Sequence, residues 1–315
     1  MAPSTYEILC RQVVTCPSLK EPEVPHGKPP VPVEKKVLVT LWYLGSQDTS
    51  KQISDRFNIT ESTVIKCIGN VIDALGVHLR RHYIKWPNDQ EKAVISNYYF
   101  NKNGFPGIIG FIDGTHVEIK APPRNDKQVF INRKGYYSMN IQAVCREDMS
   151  HLYTHVCVGW PGNVNDSRVV RNSDLWDNNH LFGERHLIGD GGYPCKSWLI
   201  IPYRNDGNLT QAQRRFNYLL SSNRSIIERS FGRVKGRFRR LMLLNCRSVK
   251  KTIKVIMSCF VLHNVCIMSN DDLEGLNIEE NGLNDNLGHN PAGVLENDAQ
   301  GANKRDILRR QIVGE

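Results

Sequence analysis

The sequence predicts an α/β protein: a mixed β-sheet flanked by helices, preceded by a separate helical domain. Short apolar runs rich in Val, Ile and Tyr recur between residues 108 and 203. These runs first follow one another directly and later alternate with helical patterns, which is typical of a mixed sheet. Before residue 86, apolar residues recur at helical spacing instead. With 315 residues, 40% of them hydrophobic, the chain can hold one or two domains plus tails.

The first 32 residues are predicted to form a short helix followed by a linker. Residues 1–16 have a helical pattern, and the segment 17–32 contains six prolines. Proline lacks a backbone N–H and fixes φ, so this density favours an extended connection over a folded element.

Residues 33–85 are predicted to form a helix-turn-helix domain. The predicted elements are a helix over 33–44, a second helix over 49–57 capped by Thr49, a turn at 58–60, and a third helix over 61–75. Apolar residues fall where the small core of such a motif needs them, at Ile53, Phe57, Ile59 and Val64. A three-helix scaffold that never touches DNA remains the alternative.

Residues 86–269 are predicted to form the α/β domain, and residues 270–315 an acidic tail. The predicted strands are 108–119, 137–146, 153–160, 187–189 and 198–203, and the first three read as an antiparallel meander. The predicted helices are 89–100, 167–176, 210–240, 252–268 and a short one at 304–313. Segment 271–300 is rich in Gly, Asn and acidic residues, which favours disorder.

Four acidic residues carry the chemistry that the sequence predicts. Asp113 and Asp190 directly follow apolar runs, Asp166 lies in a Gly- and Asn-rich loop after the third strand, and Glu228 lies on a helix. Carboxylates at strand ends can converge while the sheet holds them in place. Hard oxygen ligands of this kind suit Mg²⁺ or Mn²⁺, so the pattern predicts a metal site for hydrolysis or phosphoryl transfer.

The charge distribution favours a polyanionic partner. Net charge is +9; between residues 204 and 240 there are ten Lys/Arg against two acidic residues. Residues 270–300 hold eight Asp/Glu and no Lys or Arg. Arg229, Arg233, Lys235, Arg237, Arg239 and Arg240 follow Glu228 and could track phosphates, although a solvated helix face is an equal alternative for any one of them.

The nine cysteines show no Cys-x-x-Cys pair, which favours a reduced, intracellular protein without a signal peptide. The apolar stretch 255–268 is interrupted by polar residues and is expected not to span a membrane. His151, His155 and Cys157 lack a zinc pattern and are interpreted as structural, and His263 is interpreted as a helix-packing residue. His116 is interpreted as a core histidine, with assistance to proton transfer as the alternative if the strand bends at Gly114.

Four strings resemble the DDE endonuclease domain of PIF/Harbinger transposases, and the resemblance runs from about residue 35 to residue 270. The strings are FIDGTHV (111–117), PGNVNDSR (161–168), GDGGYP (189–194) and IERSFGRVK (227–235), with VLHN (261–264) in the last helix. The resemblance implies a ribonuclease-H-like fold and nuclear, metal-dependent cleavage of DNA by the triad Asp113, Asp190 and Glu228. Asp166 would then be a fourth ligand for Mg²⁺ or Mn²⁺.

The same resemblance implies a Myb-like DNA-binding partner protein and leaves homo-oligomerisation open. A rival hypothesis is a retired transposase that keeps the fold and the acids but acts only as a DNA-binding or protein-interaction module. Asp113 is expected to bridge two metal ions, whereas Asp166, expected in a loop, should be less rigid and less critical.

Overall fold

A computed structural model describes residues 1–20, 29–122, 127–148, 151–246, 248–271 and 298–314. Part of the predicted proline-rich linker and most of the predicted acidic tail lie outside these residues. The helices are α1 (Pro3–Val13), α2 (Val33–Gly45), α3 (Ser50–Phe57), α4 (Glu61–Asp73), α5 (Arg80–Tyr83), α6 (Asp89–Asn103), α7 (Asp166–Arg171), α8 (Asp174–Asp177), α9 (Gln211–Arg237), α10 (Val249–Met268) and α11 (Ala299–Val313). The strands are β1 (Ile108–Glu118), β2 (Ser138–Arg146), β3 (Leu152–Pro161), β4 (His186–Ile188) and β5 (Leu199–Ile200).

The chain divides into two compact units. The first comprises Met1–Lys85, His116–Met139 and Arg233–Asn277, and the second comprises Trp86–Thr115, Asn140–Gly232 and Ile278–Glu315. Each unit buries its own apolar residues, and all four predicted site acids belong to the second.

In the first unit, helices α2, α3 and α4 pack on one another. Helix α3 starts with a reciprocal cap, in which Thr49 N donates to Gln52 Oε1 at 2.8 Å and Gln52 N donates to Thr49 Oγ1. Asn58 ends the helix in the left-handed region at φ 48°, and Thr60 caps α4. A short polar turn thus joins the two helices where the sequence predicts one.

Helix α4 ends earlier than predicted, and the chain continues as a π-helical segment, Ala74–Leu79. Helix α10 supplies the reason. Ser258 Oγ lies 2.8 Å from the Lys254 carbonyl oxygen and 3.2 Å from the Ile72 carbonyl oxygen, so its one proton is shared between the two helices. A Cβ on Gly76 would lie 3.0 Å from the Lys254 carbonyl oxygen. A side chain that bonds a helix carbonyl widens the local turn, and glycine permits this approach.

Two helical segments, Glu61–Tyr83 and Val249–Met268, are long and apolar enough to cross a membrane. Core helices also pass this test of length and composition, so the finding does not contradict the expectation for residues 255–268. The protein buries 78% of the most apolar window in Val249–Met268 and 39% of that in Glu61–Tyr83. Burial of this kind is that of a core helix, and Asn264 Nδ2 in α10 donates to the Tyr83 carbonyl at 2.9 Å.

In the second unit, the core is a five-stranded sheet with the order β3-β2-β1-β4-β5. Strands β1, β4 and β5 run parallel, and β1, β2 and β3 are neighbours in the order in which the chain makes them. The central strands are apolar and buried, with Tyr99 of α6 packed edge-on against Phe111 of β1. This arrangement confirms the predicted mixed α/β sheet flanked by helices and is consistent with a ribonuclease-H-like fold.

Two predicted elements of this unit are wrong in extent. The predicted helix 167–176 is two short helices, because Ser173 Oγ bonds the Val170 carbonyl and Asn172 Nδ2 bonds the Arg168 carbonyl where α7 ends. The predicted strand 198–203 is only Leu199–Ile200. Pro202 has no N–H to donate, and Tyr203 N donates to Asn217 Oδ1 rather than to a strand.

Candidate active site

The parallel register of β1 and β4 places two of the predicted acids side by side. Phe111 pairs with Ile188, and Asp113 and Asp190 each lie two residues further along, so both point to the same face. Asp113 lies within β1 and is 13% exposed, and its Oδ1 accepts the Gly114 N–H at 2.8 Å. Asp190 follows β4, where its Oδ1 accepts the Gly192 N–H at 2.9 Å.

Asp166 reaches the same position from the segment after β3, which lies on the opposite side of β1 from β4. It is the first residue of α7, which Asn165 caps, and not part of a loop as the sequence predicts. A Cβ on Gly114 would lie 2.4 Å from Asp166 Oδ1, so this carboxylate rests on the backbone next to Asp113. Gln142 Nε2 also donates to the Asp166 carbonyl at 3.3 Å. The predicted loop position of Asp166 is therefore wrong, whereas its lower rigidity and lower importance for activity stay predictions.

Helix α9 brings Glu228 and an arginine that the sequence reasoning missed. Arg224 Nη1 lies 2.5 Å from Asp113 Oδ2, and Arg224 Nη2 lies 2.6 Å from Glu228 Oε1. Residues four apart lie on the same helix face, so the guanidinium links the helix acid to the strand acid. The spacing of Arg224 one turn before Glu228 is the signal that could have identified it.

The site is electrostatically crowded. Burial raises the pKa of Asp113 well above its ordinary value, and repulsion from Asp190 and Asp166 raises it further, while Arg224 acts in the opposite direction. Burial also raises the pKa of the Tyr193 hydroxyl, followed by repulsion from the same three acids. Arg224 is itself largely buried, yet Asp113 and Glu228 hold its pKa above the ordinary value.

Tyr193 and Gln142 support the acids from behind. Gln142 Nε2 donates to the Tyr193 hydroxyl oxygen at 3.1 Å, and both side chains are fully buried. Since the same amide also reaches the Asp166 carbonyl, β2 holds the start of α7 and the turn after β4 together. Sequence patterns did not indicate these contacts, because they join residues far apart in the chain.

The chemistry of these donors is the kind that a divalent cation binds, although their present spacing is not. The carboxylates of Asp113, Asp166 and Asp190 repel one another electrostatically, and Glu228 pairs with the same arginine as Asp113. Their oxygens are hard ligands whose negative charge Mg²⁺ or Mn²⁺ would neutralise. As placed, however, no three Asp, Glu, His or Cys side chains of the described residues group tightly enough to hold an ion. Arg224 already lies between Asp113 and Glu228 and provides one positive charge there.

Two of the histidines interpreted as structural make side-chain contacts away from the site acids. His155 Nε2 pairs with Asp174 Oδ1 at 2.5 Å, and His116 Nδ1 lies 3.1 Å from Ser138 Oγ. His263 is 1% exposed within α10. None of these contacts involves a site acid.

Comparisons with known proteins place the chain among its relatives. A family described as DDE superfamily endonuclease matches residues 112–264, a range that contains all four acids. Proteins from Bos taurus and Mus musculus named as HARBI1 nucleases are 30% and 32% identical over 240 and 241 residues, covering 74% of this chain and 67% of each relative. An ALP1-like protein of Arabidopsis thaliana is 26% identical over 306 residues, covering 90% of this chain and 72% of that protein. No solved structure matches.

The fold and the matched range define a DDE superfamily endonuclease domain. The chain belongs to the Harbinger transposase-derived nuclease family. Endonucleases of the DDE superfamily generally use divalent metal ions.

Proposed function

We propose that this protein is a metal-dependent endonuclease that cleaves DNA phosphodiester bonds. The observation that carries the proposal is the convergence of Asp113, Asp166 and Asp190 around a buried position, with Glu228 joined to Asp113 through Arg224. Buried, mutually repelling carboxylates destabilise a fold unless a bound cation repays the cost. Such an arrangement is therefore best explained by a ligand of positive charge.

In this proposal Asp113, Asp190 and Glu228 are the catalytic triad, and Asp166 adds a fourth carboxylate. These side chains would hold Mg²⁺ or Mn²⁺, which when bound stabilises the attacking water and the leaving 3′-oxygen. The protein's own contribution is rigidity: β1 and β4 fix two acids, α7 fixes the third, and Arg224 aims Glu228. Misplacement of such groups by about 1 Å can cost roughly 10²-fold in rate.

DNA binding is proposed to involve helices α3 and α4 as a helix-turn-helix. Helix α4 exposes Glu61, Ser62, Ile65 and Lys66, which contain one basic residue and one acidic residue. One lysine neutralises little phosphate charge, so this element alone should bind weakly and with little sequence selectivity. We therefore include a Myb-like partner for site recognition, action in the nucleus, and self-association as further parts of the proposal.

The rival is a protein that keeps the site geometry without cleaving. The position of Arg224 supports this rival, because an arginine between Asp113 and Glu228 balances part of their negative charge without a metal ion. In that case the protein would bind DNA or another protein and its acids would be a relic.

Nicking of supercoiled DNA separates the two. Wild type should nick in Mg²⁺ or Mn²⁺, whereas Asp113→Asn, Asp190→Asn and Glu228→Gln should each lose at least about 10²-fold while still binding DNA. Glu147→Gln, which changes a carboxylate near Arg229 outside the site, is the matched control. If Asp190→Asn or Glu228→Gln cuts like wild type, the triad is wrong. If wild type never cuts, even with a Myb-like partner present, the rival replaces the proposal.

A further inference from the structure

Helix α9 presents a continuous polar face that ends at the acids. Six residues on that face are exposed or half-exposed: Arg214, Arg215, Tyr218, Ser222, Ser225 and Arg229. At about 100° per residue these six residues fall within an arc of about 100°, and Glu228 lies about 40° beyond the Arg214 edge of that arc. Phe216, Leu220 and Ile227 are buried on the opposite side. Glu228 therefore borders the face, and the face leads along the helix to the edge of the site.

The face is positively charged. Between residues 211 and 229 the helix carries four arginines and one acidic residue, Glu228. Arg224 is taken up by Asp113 and Glu228, which leaves Arg214, Arg215 and Arg229 on the face. Arg229 contacts Glu147 at 3.6 Å, but its side chain is 51% exposed, and such pairs contribute little in water.

Tyr218 is the residue of this face that most clearly indicates a ligand. It is 73% exposed, the most exposed of the large hydrophobic side chains in the described part of the chain. Arginines stand one turn before it, and Ser222 stands one turn after it. An exposed aromatic ring within a basic stripe is the arrangement that stacks nucleic-acid bases while the arginines contact phosphates.

The length of the face matches a short stretch of DNA strand. A helix rises about 1.5 Å per residue, so Tyr218 lies about 15 Å and Arg214 about 21 Å along the axis from Glu228. One strand of DNA advances about 3.4 Å per nucleotide. Tyr218 is thus about four nucleotides, and Arg214 about six, from a bond cleaved beside Glu228.

We propose that the DNA strand leading to the cleaved bond lies along this face of α9, where Tyr218 stacks on an unpaired base about four nucleotides away. The inference rests on the proposed function in one respect: the carboxylates mark the end of the face at which the DNA strand is cleaved. It also specifies the substrate: DNA with unpaired bases beside the cleavage position. Duplex DNA without them would contact the arginines alone.

Fluorescence anisotropy without divalent metal tests the inference independently of cleavage. The two probes are a fully paired duplex and the same duplex with a six-nucleotide single-stranded extension. Tyr218→Ala should weaken binding of the extended probe about five-fold or more and leave the paired probe nearly unchanged. Tyr218→Trp should restore binding, and Phe100→Ala, at a 54% exposed aromatic on α6, should change neither.

The arginines are tested by salt dependence. Replacing both Arg214 and Arg215 with Gln should lower the slope of log affinity against log salt by about 1.4 for the extended probe, since two contacts with a single strand are lost. Arg310→Gln, which removes one exposed positive charge on α11, is the control for charge loss away from the face and should leave the slope unchanged.

Each outcome has a defined meaning. Equal loss on both probes, or no loss with Tyr218→Ala, overturns the inference, and an unchanged salt slope removes the arginines from the interface. If the wild type cleaves DNA and these variants bind both probes normally, the proposed function stands. Only the position of the DNA strand along α9 is then refuted. A wild type that binds through the face but never cleaves refutes the endonuclease instead. Absence of any DNA binding by wild type overturns both and leaves the face to a protein partner.

Discussion

The surroundings of the Asp113 side chain disfavour its negative charge in several ways. Asp113 is buried within β1, faces Asp190 and Asp166, and has Arg224 as its neutralising neighbour. Residues of this kind lower stability in exchange for function, because the charge they carry is needed only when the ligand is bound. The metal-free protein should therefore gain stability when this charge is removed.

Asp113→Asn should raise the melting temperature of the metal-free protein at neutral pH. The folded pKa of Asp113 lies above the unfolded value, so the folded state holds the proton more tightly and wild-type stability falls as pH rises from about 4 through the raised pKa. Asparagine keeps an acceptor for Arg224 and removes this dependence. The difference between variant and wild type should vanish near pH 4 and grow toward pH 7, as followed by thermal melting in chelator. A less stable variant at pH 7 would show that the Arg224 pair outweighs the repulsion.

Arg224→Gln should have opposite effects on stability and metal binding. Without the guanidinium, Asp113 and Glu228 lose their shared counter-charge, so the metal-free melting temperature should fall. A cation no longer competes with the arginine, so calorimetry should show tighter Mn²⁺ binding. Arg224→Lys keeps the charge and is the matched control. Unchanged Mn²⁺ affinity in Arg224→Gln would mean that the arginine and the metal do not share the position.

At the scale of elements, helices with clear caps were predicted well. Thr49 and Thr60 start α3 and α4 where local hydrogen-bonding chemistry requires it. Predicted element boundaries are wrong where contacts between residues far apart in the chain determine the backbone. One example is the turn after α4, which α10 approaches closely at Ile72 and Gly76. Strand β5 ends early because Pro202 cannot continue a ladder, a signal that was present in the sequence but outweighed by the apolar run.

Helix α11 begins five residues before its predicted start and is held by close backbone contact. A Cβ on Gly301 would lie 2.7 Å from the Cys195 carbonyl oxygen and from Lys196 backbone atoms. Lys304 Nζ donates to the Ser197 carbonyl at 2.7 Å, and Tyr203 Oη donates to Asp306 Oδ1 at 2.5 Å. The helix therefore packs on the segment that leads into β5.

Gly301→Ala should lower the melting temperature, because the methyl group has no space unless α11 moves away from Cys195. Gly69→Ala in α4 is the control, since nothing lies within 4 Å of its added methyl group. Alanine in a helix interior is favoured over glycine by about 0.5–1 kcal/mol, so that variant should melt slightly higher. If both variants shift in the same direction, the close contact at Gly301 does not constrain α11.

At the scale of the whole molecule, charge pattern was less informative than topology. The basic segment 204–240 was expected to track phosphates, but Lys235 and Arg240 are 5% exposed. Arg240 Nη2 donates to the Asp48 carbonyl at 2.7 Å, and Arg237 Nη2 donates to the Asp271 carbonyl at 3.0 Å. Sequence counts charges but does not say which of them face solvent, so the first half of α9 became the better candidate surface.

The acids were found because strand ends are readable in a sequence. Apolar runs before Asp113 and Asp190 indicated the sheet, and the parallel pairing of β1 and β4 then brings both residues together. The position of Asp166 at the start of α7 and the contact of Arg224 with Asp113 depend on tertiary packing. The sequence shows only that Arg224 stands one helical turn before Glu228.

Calorimetric titration of Mn²⁺ into the full chain tests the central claim most directly, namely that the four carboxylates form one cation site. Wild type should bind Mn²⁺ and melt at a higher temperature as Mn²⁺ is added, because a ligand that binds only the folded state stabilises it. Asp190→Asn should lose this binding while retaining its fold, and Glu147→Gln should keep it. Saturable binding that survives in Asp190→Asn, or no binding and no melting shift in wild type, would contradict the account.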